Sequence, residues 1–260
     1  MVGYNNSPEN KKLALIKKYR TILVVPCYNE EYRIDENAYF DFLTTHPDYL
    51  LIFVNDGSTD NTRQVIDQVL SRAGNIAILT CPGNTGKAEA VRYGTLHALK
   101  NYEASYIGFI DADLSTPLGE IASFEKEIET NEGISIVLGS RVQMLGKNIQ
   151  RNLLRHWISR VIATIICKVL DEPVYDTQCG AKLFAWPIAR PLFEEPFLSK
   201  WLFDVEILAR YKKVSGDGPF RNTVIEHPVS QWTEKKESKL RYSHIIRILI
   251  DLNRINNRYF

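Results

Sequence analysis

Apolar and polar positions fall into alternating blocks along the first half of the chain. Residues 21–26 (TILVVP) form a continuous apolar run rich in β-branched side chains, which predicts a strand buried on both faces. A helix is expected over about 35–45. A second strand at 49–55 (YLLIFVN) ends in the turn cluster DGSTDNT. Ser58, Thr59 and Asp60 suit a helix N-cap, and Val65, Ile66, Val69 and Leu70 follow at helical spacing. Further on, 75–80 reads as a strand, 82–87 as a glycine-bearing loop, 88–100 as a helix and 106–110 as a strand that runs directly into Asp-Ala-Asp. This alternation predicts an α/β fold with a mostly parallel central sheet flanked by helices on both faces.

The second half is less regular. A strand is expected at 134–139. Residues 151–170 should form a long helix, with Leu153, Leu154, Trp157, Ile158, Val161, Ile162, Ile165, Ile166, Val169 and Leu170 in one broad apolar stripe. Then come DTQCGAKLFAW, a helix over 203–212, a strand near 222–226 and a basic helix over about 238–254. The organisation expected is an N-terminal extension (1–20), a single catalytic domain (21–231) and a basic C-terminal helical appendage (232–260).

Four polar clusters, PCYNEE, NDGSTD, GNTGK and DADLS, each lie just after a predicted strand. Ligands on parallel sheets bind beyond the carboxyl ends of the strands, so these clusters are the candidate site. Charge then narrows the chemistry. Lys plus Arg is 32 and Asp plus Glu is 31, so the net charge of 32 − 31 = +1 argues against a globally basic nucleic-acid binder. No apolar run approaches the length that spans a bilayer, and the first twenty residues lack the apolar core of a signal peptide. Cys27, Cys81, Cys167 and Cys179 are scattered, which suits reduced thiols in a cytoplasmic compartment. The five histidines show no metal-like spacing.

Asp111 and Asp113 leave a strand two residues apart, where their carboxylates can converge on Mg²⁺ or Mn²⁺. Such an ion neutralises charge that develops on a departing nucleoside diphosphate. Surface carboxylates or a helix cap are the plainer alternative. Asp56 is either an Asx-turn or a carboxylate that accepts from a nucleobase N–H. Residues 82–94 resemble a phosphate-binding loop but match neither GxxxxGK[ST] nor GxGxxG. Lys87 therefore either reaches a diphosphate or is an ordinary exposed lysine.

Taken together, VVPCYNEE, VNDGSTDNT, GNTGKAEAVRYG, DADLS and the GSR at 139–141 resemble the inverting glycosyltransferases of family 2, with their nucleotide-diphosphosugar-binding (GT-A type) fold. DTQCGAKLFAW followed by WLFDVEIL resembles one branch, the dolichyl-phosphate glucosyltransferases and related polyprenyl-phosphate hexosyltransferases. The resemblance implies that Pro26, Tyr28, Asn29 and Glu30 line the nucleoside pocket, that Asp56 contacts the base and that Lys87 lies near the nucleotide. It implies that Asp111, Ala112 and Asp113 are the metal and diphosphate motif. Arg141, Arg155 and Ser159 match positions that hold the lipid phosphate. Asp176 matches a carboxylate proposed as catalytic base or sugar anchor, with Asp204 as its competitor. Two departures from the pattern stand out. Ser115 replaces a Gln common in the related mannosyltransferases, which leaves that ligand position to water. Ala181 replaces an aromatic residue, which implies an altered wall of the sugar or acceptor site.

The expected reaction is transfer of a hexose, glucose from UDP-glucose, with inversion to a polyprenyl phosphate. A saccharide or protein acceptor, and a catalytically silent nucleotide-sugar-binding protein, are the alternatives. Peripheral contact with the cytoplasmic membrane face is expected through helix 151–170 and the tail from Trp232 to Phe260, where seven basic residues against three acidic ones give +4. A core-packing role is the alternative for the helix. A dimer contact or a solvated helix is the alternative for the tail.

Overall fold

A computed structural model of the chain describes residues 17–146, 148–150, 153–216, 220–233 and 243–260, with side chains throughout except at 148–150, 153–159 and 243–246. The order of elements is β1 (Lys18–Cys27), α1 (Glu36–Thr45), β2 (Tyr49–Asn55), α2 (Thr62–Arg72), β3 (Ile76–Thr80), α3 (Lys87–Asn101), β4 (Glu103–Ile110), α4 (Glu120–Thr130), β5 (Ile136–Ser140), β6 (Asn148–Gln150), α5 (Leu153–Leu170), β7 (Ala181–Ala185), α6 (Trp186–Phe193), α7 (Phe203–Ser215), β8 (Val224–Pro228), β9 (Gln231–Thr233) and α8 (Ser243–Tyr259), with a short 3₁₀ turn at Phe220–Asn222.

Seven strands form the main sheet in the order β3-β2-β1-β4-β7-β5-β8. All pairs are parallel except those of β7, which runs antiparallel to both β4 and β5. Successive side chains of a strand point to opposite faces. Along β1, Ile22 and Val24 therefore enter one core and Leu23 and Val25 the other. The first core is covered by α3, α5, α6, α7 and α8, and the second by α1, α2 and α4. Burial on both faces is what the continuous apolar run of β1 requires.

Local pattern alone does not account for every element. β7 crosses the middle of the sheet although it carries a lysine, Lys182, whose side chain is fully buried. α4 buries Ile121 and Phe124, which sit at helical spacing. Helix α2 starts at Thr62, whose N–H donates to Asp60 Oδ1 at 3.0 Å, while Ser58, Thr59 and the other Asp60 oxygen bind the loop after β1.

The broad stripe of α5 packs inward over its described side chains. Ile166 and Leu170 are buried, Ile162, Ile165 and Val169 lie against the same core, and Val161 stays exposed. α8 buries Ile248, Leu252 and Ile255 in that core too, and its buried Asp251 accepts from the Ser199 hydroxyl at 2.7 Å. Among the described residues no helix is long and apolar enough to cross a membrane.

Helix α3 lies close on the sheet because Gly94 has no Cβ. A Cβ there would meet Val24 Cγ1 at 2.5 Å and Val54 Cγ2 at 2.9 Å. Forcing branched carbon into that contact overpacks the core. Gly94→Val is predicted to lower unfolding free energy by about 2–3 kcal/mol in equilibrium denaturation. An unchanged midpoint would show that the helix does not seat there.

Candidate active site

The three parallel strands β1, β2 and β4 end at one edge of the sheet, and the loops that follow them are tied into one network. Asn29 sits in the left-handed region (φ 54°) in the first loop. Its backbone N–H donates to Ser58 Oγ at 3.1 Å, and its side-chain oxygen accepts from Thr59 N–H at 2.9 Å. The Glu30 N–H donates to Thr62 Oγ1 at 2.7 Å, and the Glu31 N–H to Asp60 at 3.2 Å. The first two loops therefore brace each other before any ligand is present.

Asp56 joins the third loop to them. Its Oδ1 accepts from the Thr85 N–H (2.8 Å) and hydroxyl (2.7 Å), and its Oδ2 accepts from the Gly86 N–H at 2.8 Å. This buried carboxylate thus fixes the turn that starts α3. Gly57 (φ +68°) lets the second loop lie directly on the third, since a Cβ there would be 2.5 Å from the Gly83 carbonyl carbon. Lys200, from the stretch before α7, lies across Gly86.

The fourth loop carries Asp111, Ala112 and Asp113. Lys87 Nζ is 2.5 Å from Asp111 Oδ1. Burial works against the charge of Lys87, but the carboxylates around it, Asp111 first and then Asp204 and Asp113, together outweigh burial, so the ammonium titrates above the ordinary lysine range. Asp113 Oδ2 pairs with the Arg33 guanidinium, which also donates to Glu30 Oε1 at 3.2 Å. Asp113 Oδ1 accepts from the Ser115 N–H at 2.9 Å. The buried Tyr39 hydroxyl donates to the Ala112 carbonyl at 3.0 Å. Asp111 lies directly over Gly180: a Cβ at that glycine would be 1.9 Å from Asp111 Oδ2.

The donor set of Asp111 and Asp113 is two hard carboxylates. Among the described residues no cluster of three or more histidines, cysteines or carboxylates could hold a metal. That fits Mg²⁺ or Mn²⁺, which takes one or two protein carboxylates and completes its shell with water and phosphate oxygens.

On the far side of the cleft, Arg141 and Asp176 form a bidentate pair. Arg141 Nε and Nη2 lie 2.7 Å from Asp176 Oδ2 and Oδ1, and the Arg141 N–H donates to Oδ2 at 3.0 Å. Burial disfavours the guanidinium charge, but the paired Asp176, together with smaller contributions from Cys179 and Asp111, outweighs burial and holds Arg141 above its ordinary range. Glu226 in turn accepts the N–H groups of Tyr175 and Asp176, both at 2.7 Å. From α5, Arg160 donates to the Tyr175 carbonyl at 2.9 Å, and its guanidinium lies over the Tyr175 ring. Asp204 is buried and pairs with Lys182 Nζ at 2.5 Å, while Lys182 also donates to the Cys179 carbonyl at 2.7 Å.

The structure thus gathers Asn29, Glu30, Asp56, Lys87, Asp111, Ala112 and Asp113 at one edge, with Pro26 and Tyr28 half-buried at the end of β1. It pairs Arg141 with Asp176. The side chains of Arg155 and Ser159 lie outside the described residues, although their backbone belongs to α5. Ala181 is fully buried in the core under α4. Arg33, Tyr39, Gly180 and Glu226 were not singled out from sequence. Gly180 lies inside the DTQCG run, and Arg33 lies two residues past PCYNEE.

The Glycosyl transferase family 2 model matches residues 22–189, which spans every loop of this network and the Arg141–Asp176 pair. The chain belongs to glycosyl transferase family 2. It is 34% identical over 247 residues to a dolichyl-phosphate beta-glucosyltransferase of Trichomonas vaginalis, covering 90% of this chain and 70% of that protein. A dolichyl-phosphate beta-glucosyltransferase of Dictyostelium discoideum is 30% identical over 253 residues (91% and 74% covered), and the human one is 29% identical over 235 residues (84% and 68%). Among solved structures, glucosyl-3-phosphoglycerate synthase from Mycobacterium tuberculosis in complex with Mn²⁺ and UDP-glucose superposes with a TM-score of 0.67 at 17% identity, over 92% of this chain and 79% of that one. The same enzyme with Mg²⁺ and UDP gives 0.64 at 16% identity (92% and 80%). At that identity the likeness is one of fold. The chain is therefore a glycosyltransferase of this family with a GT-A type architecture.

Gly180→Ala is predicted to lower glycosyl transfer by about tenfold or more while shifting unfolding free energy by only about 1 kcal/mol. The new methyl displaces the mobile end of Asp111 rather than backbone. Activity assays beside thermal unfolding check this, and full activity would show that the position of Asp111 over Gly180 is unimportant.

Proposed function

We propose that this family 2 glycosyltransferase moves glucose from UDP-glucose onto a dolichyl-type polyprenyl phosphate, inverting the anomeric configuration. The observation that carries this reading is the commitment of both candidate base carboxylates. Asp176 is held by Arg141 and Asp204 by Lys182. A carboxylate clamped in a bidentate ion pair is a poor proton acceptor, whereas a phosphate acceptor is already anionic and needs no base. The similarity to dolichyl-phosphate beta-glucosyltransferases points to the same acceptor.

In this reading the acceptor phosphate oxygen attacks the anomeric carbon from the face opposite the nucleotide. The bond from that carbon to the diphosphate breaks, and its electron pair leaves with UDP. Asp111 and Asp113 would hold Mg²⁺ or Mn²⁺, which supplies neutralising charge to the leaving diphosphate. Lys87, at the start of α3, adds a positive charge on the same side. Pro26, Tyr28, Asn29 and Glu30 line the nucleoside side, and Asp56 shapes it by fixing Thr85 and Gly86. Arg141, with Arg155 and Ser159, takes the acceptor phosphate, and Asp176 sets the orientation of Arg141. The polyprenyl tail then requires the cleft to face a membrane. Exposed Arg247, Arg254 and Arg258 on α8 give that contact its charge on the cytoplasmic leaflet.

Purified protein given UDP-glucose labelled in the sugar and dolichyl phosphate in detergent is expected to move label into the organic phase. Label that passes only to saccharide or protein acceptors would refute the assignment. Asp176→Asn separates positioning from base catalysis. The expected result is an acceptor KM raised by about tenfold with kcat reduced by less than about threefold. A kcat loss of about a thousandfold at unchanged KM would make Asp176 the base instead.

A further inference from the structure

Each carboxylate of the Asp111–Ala112–Asp113 turn has a positively charged partner drawn from a different loop. Lys87 faces Asp111 and Arg33 faces Asp113. Both cations are partly open to the cleft, with Lys87 38% and Arg33 32% exposed, while Asp113 beneath Arg33 is only 9% exposed. Arg33 is shared with Glu30, so two positive charges offset most, but not all, of the negative charge of Asp111, Asp113 and Glu30 before any ligand arrives. A divalent ion that approaches alone therefore meets a much weakened attraction, because each carboxylate that would hold it already has a cation beside it. An ion that enters together with a diphosphate meets a different balance. The diphosphate brings acceptor oxygens to which both cations can turn. Arg33 is prepared for that, because among the described residues its Nε is a buried donor with no acceptor. A guanidinium with an unused donor in a polar cleft is matched by a doubly accepting phosphate group.

We propose that Arg33 and Lys87 are resident counter-ions of this turn, which exclude a divalent ion from nucleotide-free protein and pass to the diphosphate oxygens when ion and donor enter together. Arg33 is then a positioning residue for the donor as well as a guard of Asp113. The inference rests on the reading of Asp111 and Asp113 as the metal-holding pair.

Mn²⁺ binding, followed by the electron paramagnetic resonance signal of the free ion, tests it without any turnover. Wild-type protein is expected to bind Mn²⁺ about tenfold or more tighter with saturating UDP than without it. Arg33→Gln should tighten binding of Mn²⁺ alone by about tenfold and weaken binding of UDP. Lys87→Met should do the same, and it serves where the first variant folds poorly. Affinity for Mn²⁺ alone that is unchanged or weaker in both variants overturns the proposal. Replacing both Asp111 and Asp113 by Asn should abolish the gain from UDP. If it does not, the metal reading itself fails, and the counter-ion proposal falls with it.

Discussion

Negative charge gathered at the carboxyl edge of a parallel sheet has to be compensated where water is scarce. In this chain Asp56, Asp111 and Asp113 arrive at one edge because β1, β2 and β4 run side by side in the same direction. Each carboxylate is balanced in its own way. Asp56 takes two backbone N–H groups and a hydroxyl from the third loop. Asp111 and Asp113 take one cation each. Hydrogen bonds and nearby cations are the two means that keep a carboxylate ionised on burial. The compensation also holds the site together, because the partners of Asp56 and both cations come from other loops.

The same rule governs the opposite wall and decides what chemistry it can perform. The buried Lys182–Asp204 pair and the Arg141–Asp176 pair leave neither acid as a ready proton acceptor. Breaking a buried pair by removing one partner leaves an uncompensated charge and costs about 3–5 kcal/mol. These residues are therefore fixed parts of the wall. Glu226 extends it by capping the backbone of Tyr175 and Asp176. Burial pushes the Glu226 carboxyl above its ordinary range, against the two N–H bonds that favour its charge. A wall of satisfied charges suits an acceptor that brings its own nucleophilic anion.

Much of this was legible in the sequence. Tyr49–Asn55 forms a strand with the bounds expected, and the motif loops fall where strands end, because buried parallel strands leave unbroken apolar runs and the residues after them must be polar. The spacing of Asp111 and Asp113 marked them as candidates, and only the neighbouring motifs favoured them over surface carboxylates or a helix cap. What stayed hidden depends on tertiary partners. β7 was not recognised because Lys182 breaks its apolar pattern, and only Asp204, far along the chain, makes that lysine tolerable in the core. Arg33 carries no local signal, because its partner Asp113 lies 80 residues further along the chain. Ser58 and Thr59 have the chemistry of helix caps, yet they bind the neighbouring loop, and local propensity carries no sign of that choice; Asp60 does both. α5 showed the converse: its apolar stripe was evident, but only its packing against α7 and α8 shows that its last turns face the core.

The claim on which all of this rests is that a divalent ion held by Asp111 and Asp113 lets the sugar part from its nucleotide. The most direct measurement is glucose transfer from UDP-glucose to dolichyl phosphate by protein stripped with a chelator. Transfer is predicted to fall to about one per cent or less and to return on addition of Mn²⁺ or Mg²⁺. Full transfer by the stripped protein would contradict the account.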